Sequence, residues 1–304
     1  MYRGFDFRSM IYFMSEEMDW TWMWLSMPFG ILAQMFRAWR WQQTLHPLGE
    51  EPRTSTSVYS IFLSYALSLA IPRVGEFARC GVLSRCDGVA FPKALGTVVT
   101  ERAVDALCIM LLTALTLLSQ MGVFAQFFSK TGVSVDDFLS RFTTTGYLVT
   151  VVCGVAAVVS LYFVRKKLAI YNKVKTTARG IVDGMLSLRN VGNKPLYVFY
   201  SLAIWASYFL HYYLTFFCFG FTSSLTLLCA MVTFIVGSIA VIVPTPNGAG
   251  PWHFAVKTML ILYGVAETDA LYFVLIVHTL QTLLVAFLGI FAATALAMRK
   301  GKAS

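Results

Sequence analysis

Long apolar runs recur along this chain, and they constrain its fold more than any other feature. A helix needs about 20 apolar residues to cross a bilayer, and five runs meet or approach that length: 20–36, 91–118, 146–164, 195–220 and 270–298. The chain is 58% apolar and only 13% charged, whereas soluble domains are about 25% charged. The sequence therefore predicts an all-α polytopic membrane protein with about 5–7 transmembrane helices and one or two re-entrant helical hairpins.

The segment without a predicted span is a basic linker, residues 165–194. It is too short for a separate soluble domain, so we expect a single integral membrane domain over residues 1–304. We expect the linker to form an amphipathic helix at the membrane surface. The net charge of +9 is then explained by cytoplasmic loops that face anionic lipid, rather than by nucleic-acid binding.

Two proline turns divide the chain into similar halves. The first turn reads IPRVGEFAR (71–79) and the second reads VPTPNGAGPWH (243–253). Each is followed by a Gly-Val-Ala step and then by an apolar helix with a polar pair inside it. When the two Gly-Val-Ala steps are aligned, Arg102 corresponds to His278 and Asp105 corresponds to Gln281. This layout predicts two repeats, at about 55–164 and about 195–298.

Charge distribution gives the expected topology. The linker and the basic tail after residue 298 should both be cytoplasmic, and 75–86 carries too many charges to cross lipid cheaply. We therefore expect 58–71 and 75–86 to form a re-entrant hairpin on the cytoplasmic side. A second hairpin, 225–243 with 251–263, would enter from outside and give an inverted-topology repeat. Two full crossings there would also keep the linker and the tail on the same side, because the number of crossings between them must be even.

Counting the crossings backward from the cytoplasmic linker makes residues 20–40 run from outside to inside. A polar segment such as 1–19, which lacks a signal-peptide pattern, is not readily exported. We therefore expect a further span to precede residue 1.

Polar residues inside the predicted spans are candidates for function. Arg102 lies roughly 15 Å into its helix at 1.5 Å per residue, and Asp105 shares its face. Glu101 points elsewhere, although it is four residues from Asp105. The alternatives are a structural Arg–Asp pair, and for His278, beside Gln281, an ordinary hydrogen bond between helices.

The proline turns add a possible anion site. Helices starting near Gly75 and Gly248 would each direct free N–H groups at the middle of the membrane. Gly248 and Gly250 permit close approach of a ligand to the backbone, while Asn247 is either part of this site or a helix cap. The predicted substrate-binding residues are Arg73, Glu76, Arg79, Arg102, Asp105, Asn247, Gly248, Gly250, His278 and Gln281.

We expect arginine to supply the positive charge at this site, with Glu76 orienting an arginine or carrying a proton. For Arg79 and Arg85 the alternative is ordinary charge at the cytoplasmic interface. The sequence contains no hydrolase, kinase or zinc-site motif. We therefore expect neither catalysis nor a cofactor.

Three motifs resemble those of the flippase-like membrane proteins related to the transmembrane region of bacterial lysylphosphatidylglycerol synthase. They are Pro-x-x-Gly-Glu-x-x-Arg (72–79), Glu-Arg-x-x-Asp (101–105) and Pro-x-Pro-x-Gly-x-Gly (244–250). Family members usually carry one more N-terminal span, and many carry a glutamate soon after the second glycine turn, where this chain reads Pro-Trp-His (251–253). The soluble aminoacyl-transferase domain of the full synthase is absent, so lipid lysinylation is not expected from this chain.

The resemblance implies movement of an anionic phospholipid, or of a polyprenyl-phosphate-linked species, between the leaflets of the bacterial inner membrane. Two alternatives belong to other classes. One is a non-transporting membrane partner of a glycosyl- or acyltransferase that works on lipids, and the other is an intramembrane lipid enzyme.

Overall fold

A computed structural model describes residues 7–119, 168–243 and 245–300, and the regular structure in these ranges is helical. The predicted span 146–164 lies outside the described residues, as does Pro244. Short 3-10 turns at His46–Leu48, Ser187–Asn190, Leu214–Cys218 and Pro246–Gly248 separate some of the helices. The α-helices are α1 (Phe7–Glu16), α2 (Trp20–Leu45), α3 (Thr54–Ala70), α4 (Val74–Asp87), α5 (Phe91–Ser119), α6 (Leu168–Leu186), α7 (Lys194–Tyr213), α8 (Gly220–Ser223), α9 (Leu227–Ala240), α10 (Pro251–Leu262) and α11 (Glu267–Lys300).

Helices α2 and α7 pack closely against each other. Gly30 allows the close approach, because a Cβ there would lie 2.9 Å from His211 Nε2, and His211 Nδ1 is hydrogen-bonded to the Ser26 carbonyl at 2.8 Å. The sequence interpretation ended this span at residue 36 and placed Arg37 and Arg40 at its basic end. That was wrong: α2 continues to Leu45, and both arginines are buried within it.

The first proline turn joins α3 and α4 into a helical hairpin. Helix α3 ends at Ala70, before Pro72, because proline disfavours the helical conformation in the residue preceding it. Arg73 then takes a left-handed conformation, with φ of 66°. Gly75 packs directly on the facing arm, since a Cβ there would lie 1.9 Å from the Ser64 carbonyl oxygen.

The second proline turn likewise joins α9 and α10. Positive φ angles at Asn247, Gly248 and Gly250 reverse the chain, and Gly237 lets Trp252 pack against α9. The two arms have 14 and 12 residues, so each is only about 20 Å long at 1.5 Å per residue.

Both hairpins pack against the long helix α11, but at different levels. The base of the second hairpin lies at the start of α11, where Lys257 contacts Glu267 at 2.7 Å. Its turn contacts Thr282, about 20 Å further along the helix at 1.5 Å per residue. The first hairpin packs beyond that point, with Ala66 against Gly289. The packing is reciprocal: α3 of the first half contacts α11 of the second, and α9 of the second half contacts α5 of the first.

The linker helix α6 packs on α5 through glycines. A Cβ at Gly184 would lie 2.4 Å from the Lys93 carbonyl oxygen, and one at Gly96 would lie 2.2 Å from that of Ile181. Thr100 Oγ1 donates a hydrogen bond to the Met185 carbonyl at 2.9 Å. The glycine face of α6 is thus covered by protein, which a helix lying only on lipid would not require.

The N-terminal segment also differs from expectation. Residues 1–19 read as a short polar stretch, yet α1 forms at Phe7–Glu16, and Phe13 packs in an aromatic cluster with Phe219 and Tyr272. Met18 is also buried.

Of the described helices, one is both long and apolar enough to cross a membrane by those two measures, at residues 267–298. Helix α9 is apolar but shorter. Helix α5 is long but carries four charged residues, Lys93, Glu101, Arg102 and Asp105.

We predict that Gly75→Ala lowers the stability of the protein by about 1–3 kcal/mol, because the added methyl group overlaps the facing backbone. Helix propensity alone favours alanine over glycine by about 1 kcal/mol, so a loss is not the default result. Gly81→Ala in the same helix is the control, since a Cβ there has no atom within 4 Å. Thermal unfolding of the purified proteins in detergent measures both; equal stability of the two variants would contradict the packing.

Candidate functional site

A charged cluster lies where α2, α4 and α5 meet. It contains four arginines and three carboxylates, so one formal positive charge is in excess. Its members are Arg37, Arg40, Glu76, Arg79, Glu101, Arg102 and Asp105.

The centre of this cluster is closed to solvent. Arg37 donates hydrogen bonds to Glu101 and, at 2.7 Å, to Asp105. Arg40 contacts the other oxygen of Asp105 at 2.6 Å and donates to Ser201 Oγ on α7 at 3.2 Å. Removing one partner from such a buried group leaves an uncompensated charge, which is strongly destabilising. The cluster therefore fixes the relative positions of α2, α5 and α7.

Arg79 connects the first hairpin to this centre. Its Nη1 contacts Glu101 at 2.8 Å, and its guanidinium lies 4.6 Å from the centre of the Trp41 ring. Its Nε and Nη2 atoms have no hydrogen-bond acceptor among the described residues; the ring face compensates part of that cost through a cation–π interaction. Trp41 is held in turn by a 2.8 Å hydrogen bond to Thr97.

Arg102 forms the accessible edge of the cluster. Its side chain is 43% exposed, whereas those of Arg40 and Arg79 are 1% exposed. Its Nε lies 3.0 Å from Glu76, but Nη1 and Nη2 are 3.6 and 3.9 Å from carboxylate oxygens of Asp105 and Glu101. Those distances exceed hydrogen-bond lengths, so among the described residues the two terminal nitrogens have no acceptor and are available to an oxyanion.

The structure brings together four of the five residues predicted near the first turn: Glu76, Arg79, Arg102 and Asp105. The fifth, Arg73, lies outside the cluster, exposed at the tip of the hairpin. Arg79 is buried, so the alternative of simple interface charge does not hold for it.

A second polar group, the histidine cluster, surrounds the second turn. It consists of Asn247, Trp252, His253, His278 and Thr282. The rings of His253 and His278 are 4.5 Å apart between centroids, and Trp252 lies 5.2 Å from His278. Asn247 donates its amide to Thr282 Oγ1, and its carbonyl oxygen is 3.1 Å from His278 Nε2.

Asn247 therefore attaches the turn to α11 and does not cap α10, where Gly250 occupies the capping position. Gly248 is buried, and a Cβ there would lie 2.8 Å from Val241. Gln281 is directed elsewhere, since its amide donates to the His211 carbonyl at 3.2 Å and so joins α11 to α7.

Two tyrosines lie between the clusters. Tyr65 on α3 and Tyr208 on α7 share a 2.7 Å hydrogen bond between their hydroxyl groups. The guanidinium of Arg37 is 6.0 Å from each ring, and His211 is one helical turn beyond Tyr208. Tyr65, Tyr208 and His211 thus form a series of polar side chains between Arg37 of the charged cluster and Gln281 on α11.

The buried arginine network lies in an apolar helical frame, and the sequence of that frame resembles a known family of membrane proteins. A family model described as the lysylphosphatidylglycerol synthase TM region matches residues 1–289. The chain belongs to this family. No curated protein and no solved structure showed a match.

Membership in the lysylphosphatidylglycerol synthase TM region family makes this a membrane protein with a lipid-related role. The charged cluster contains the charged residues of two of the motifs on which the resemblance was based, 72–79 and 101–105. Within the described ranges, no group of three or more histidine, cysteine or acidic residues could hold a metal ion.

Sequence reasoning missed three members of the charged cluster. Arg37 and Arg40 were taken for interface charges, and Glu101 was placed on another face. In the structure Glu101 is the common acceptor of Arg37 and Arg79, with Arg40 at 3.5 Å. The available signal was the i, i+3 spacing of the two arginines, which puts both on one face of α2.

We predict that Glu101→Gln destabilises the protein by about 3–5 kcal/mol, because the buried arginines around it lose their shared counter-charge. The control is Glu267→Gln, which breaks an exposed pair with Lys257 and should leave thermal stability unchanged. Thermal unfolding in detergent compares the two. Equal stability of both variants would show that the cluster does not hold the helices together.

Proposed function

We propose that this protein moves an anionic phospholipid, or a lipid-linked phosphate head group, between the leaflets of the bacterial inner membrane. The observation that carries the proposal is Arg102, a half-exposed arginine at the edge of a buried, net-positive cluster, whose two terminal nitrogens have no acceptor within 7–119, 168–243 and 245–300. A charged residue held at membrane depth is a functional candidate, and a guanidinium binds phosphate oxygens through two parallel hydrogen bonds.

The other members of the cluster leave the charge of Arg102 available to a ligand. The three buried arginines and two buried carboxylates are mutually paired, so they hold the site without competing for the ligand. Glu76 is the one partner of Arg102 that is itself partly exposed, at 30%. A phosphate on the terminal nitrogens of Arg102 would lie near the Glu76 carboxylate on Nε, and repulsion between the two anions would favour release of the lipid.

The two hairpins supply the expected frame for movement between leaflets. Their arms are short compared with the ~30 Å hydrocarbon core, and they lie along opposite halves of α11, as the contacts of Lys257 and Ala66 indicate. The reciprocal packing of α3 on α11 and of α9 on α5 is what a two-fold relation between repeats produces. These contacts support an inverted-topology repeat with two re-entrant hairpins.

The histidine cluster has a gating role in this proposal. Asn247 and His278 couple the second turn to α11, so movement of that turn changes the packing of the long helix. The cytoplasmic placement of the C-terminus follows from the basic residues after Met298. Neither catalysis nor a cofactor is part of the proposal.

We predict that Arg102→Ala abolishes lipid movement in liposomes containing the purified protein, because the phosphate loses its two hydrogen-bond donors. Arg102→Lys should retain a small part of the flux, since lysine supplies charge but not a two-pronged donor. The measurement follows fluorescent phosphatidylglycerol in the outer leaflet by chemical quenching.

Arg189→Ala is the matched control, because Arg189 is exposed in the turn after α6 and should not affect flux. Normal flux in a folded Arg102→Ala protein would contradict the site. Absence of flux from the wild-type protein, together with co-purification of a lipid- or glycan-modifying transferase, would instead favour the role of a non-transporting partner.

A further inference from the structure

A groove of about 490 Å³ separates the first hairpin from α11. Leu63, Gly81, Val82, Ala293 and Leu296 give it apolar walls, with contributions from α3, α4 and α11. Among its described lining residues Arg85 is the one charged side chain. Arg85 and Ala293 are exposed, so the groove opens to the outside of the helix bundle, where lipid would lie.

Helix α4 uses two different faces for the charged cluster and the groove. Glu76 and Arg79 are directed at α5. The groove is lined by residues 78, 81, 82 and 85, spaced as i, i+3, i+4 and i+7 on the other face. The groove is therefore separate from the site at Arg102.

We propose that this groove binds one acyl chain of an anionic phospholipid whose phosphate is held by Arg85. In a bilayer an apolar groove that opens sideways is filled by lipid chains, because no other apolar molecule is abundant there. Arg85 is one turn past Gly81 and Val82 toward the base of the hairpin, where the head-group region lies. Its guanidinium complements a phosphate at that level.

The location gives the bound lipid a structural role. The groove lies between the hairpin of the first repeat and the long helix of the second, so a lipid seated there contacts both. Its binding does not depend on the translocation proposed above, whereas any influence on transport does rest on that proposal.

Gly81→Leu tests the site directly. A Cβ at Gly81 meets no atom within 4 Å, so the leucine side chain enters the groove without striking protein, and leucine favours the helix by up to about 1 kcal/mol. The measurement is native mass spectrometry of the full chain in detergent, titrated with phosphatidylglycerol and separately with phosphatidylcholine.

We expect the wild-type protein to retain one tightly bound phosphatidylglycerol. In Gly81→Leu that binding should weaken about tenfold or more, which corresponds to at least ~1.4 kcal/mol. Arg85→Ala should remove the preference for phosphatidylglycerol over phosphatidylcholine. Unchanged binding in Gly81→Leu, or an unchanged preference in Arg85→Ala, would overturn the proposal.

Two controls make the result specific. Gly220→Leu also adds a side chain where no atom lies within 4 Å, and Arg189→Ala removes an exposed charge elsewhere; neither should alter lipid binding.

Arg102→Ala separates the two proposals, because it should stop flux and leave the groove occupied. If the wild-type protein binds phosphatidylglycerol at the groove but moves no lipid, the groove stands and the translocation proposal fails.

Discussion

The buried pairing of Glu101 and Asp105 with three arginines is the constraint on which the rest of the structure depends. Charged groups placed at membrane depth must be paired within the protein, because the surrounding hydrocarbon cannot solvate them. Here the partners come from different helices, with Arg37 and Arg40 on α2 and Arg79 on α4. No one of these helices can move away without exposing an unpaired charge.

The same constraint explains how a site can exist at the edge of the cluster. The exposed fraction rises from 1% at Arg79 to 43% at Arg102 within one connected set of ion pairs. The buried members are fixed by one another, and the outer arginine is positioned by them but only loosely occupied. Such an arrangement leaves a positive charge accessible at the edge of a buried network, which supports the proposed site for an anionic head group.

The sequence predicted those features that depend on local chemistry. Pro72 and the charges that follow it gave the break between α3 and α4, and the boundaries of α5 and α11 agree to within a few residues. Arg102 and Asp105 were paired because a spacing of three residues puts both on one face of a helix, and Glu76 and Arg79 were added as charges beside the first proline turn. The pairing of Arg102 with Asp105 and the break at Pro72 need no knowledge of how distant helices pack.

What the sequence did not reveal depends on tertiary contacts. A basic residue at the end of an apolar run looks the same whether it faces lipid head groups or a buried carboxylate, so Arg37 and Arg40 could be assigned only when α2 and α5 were seen together. Arg73 shows the reverse error, since it follows the proline but points away at the exposed tip. In α1 the apolar spacing of Met10, Phe13 and Met14 was present but was overlooked among polar neighbours.

The central proposal is that the two short hairpins enter the membrane from opposite sides. Labelling of single cysteines, Val74→Cys and Ala249→Cys in a cysteine-free protein, tests it most directly, since both positions are exposed at the hairpin turns. The account predicts that a membrane-impermeant reagent reaches position 74 only from the cytoplasm and position 249 only from outside. Labelling of both from one side, or of either from the opposite side, would contradict the inverted arrangement.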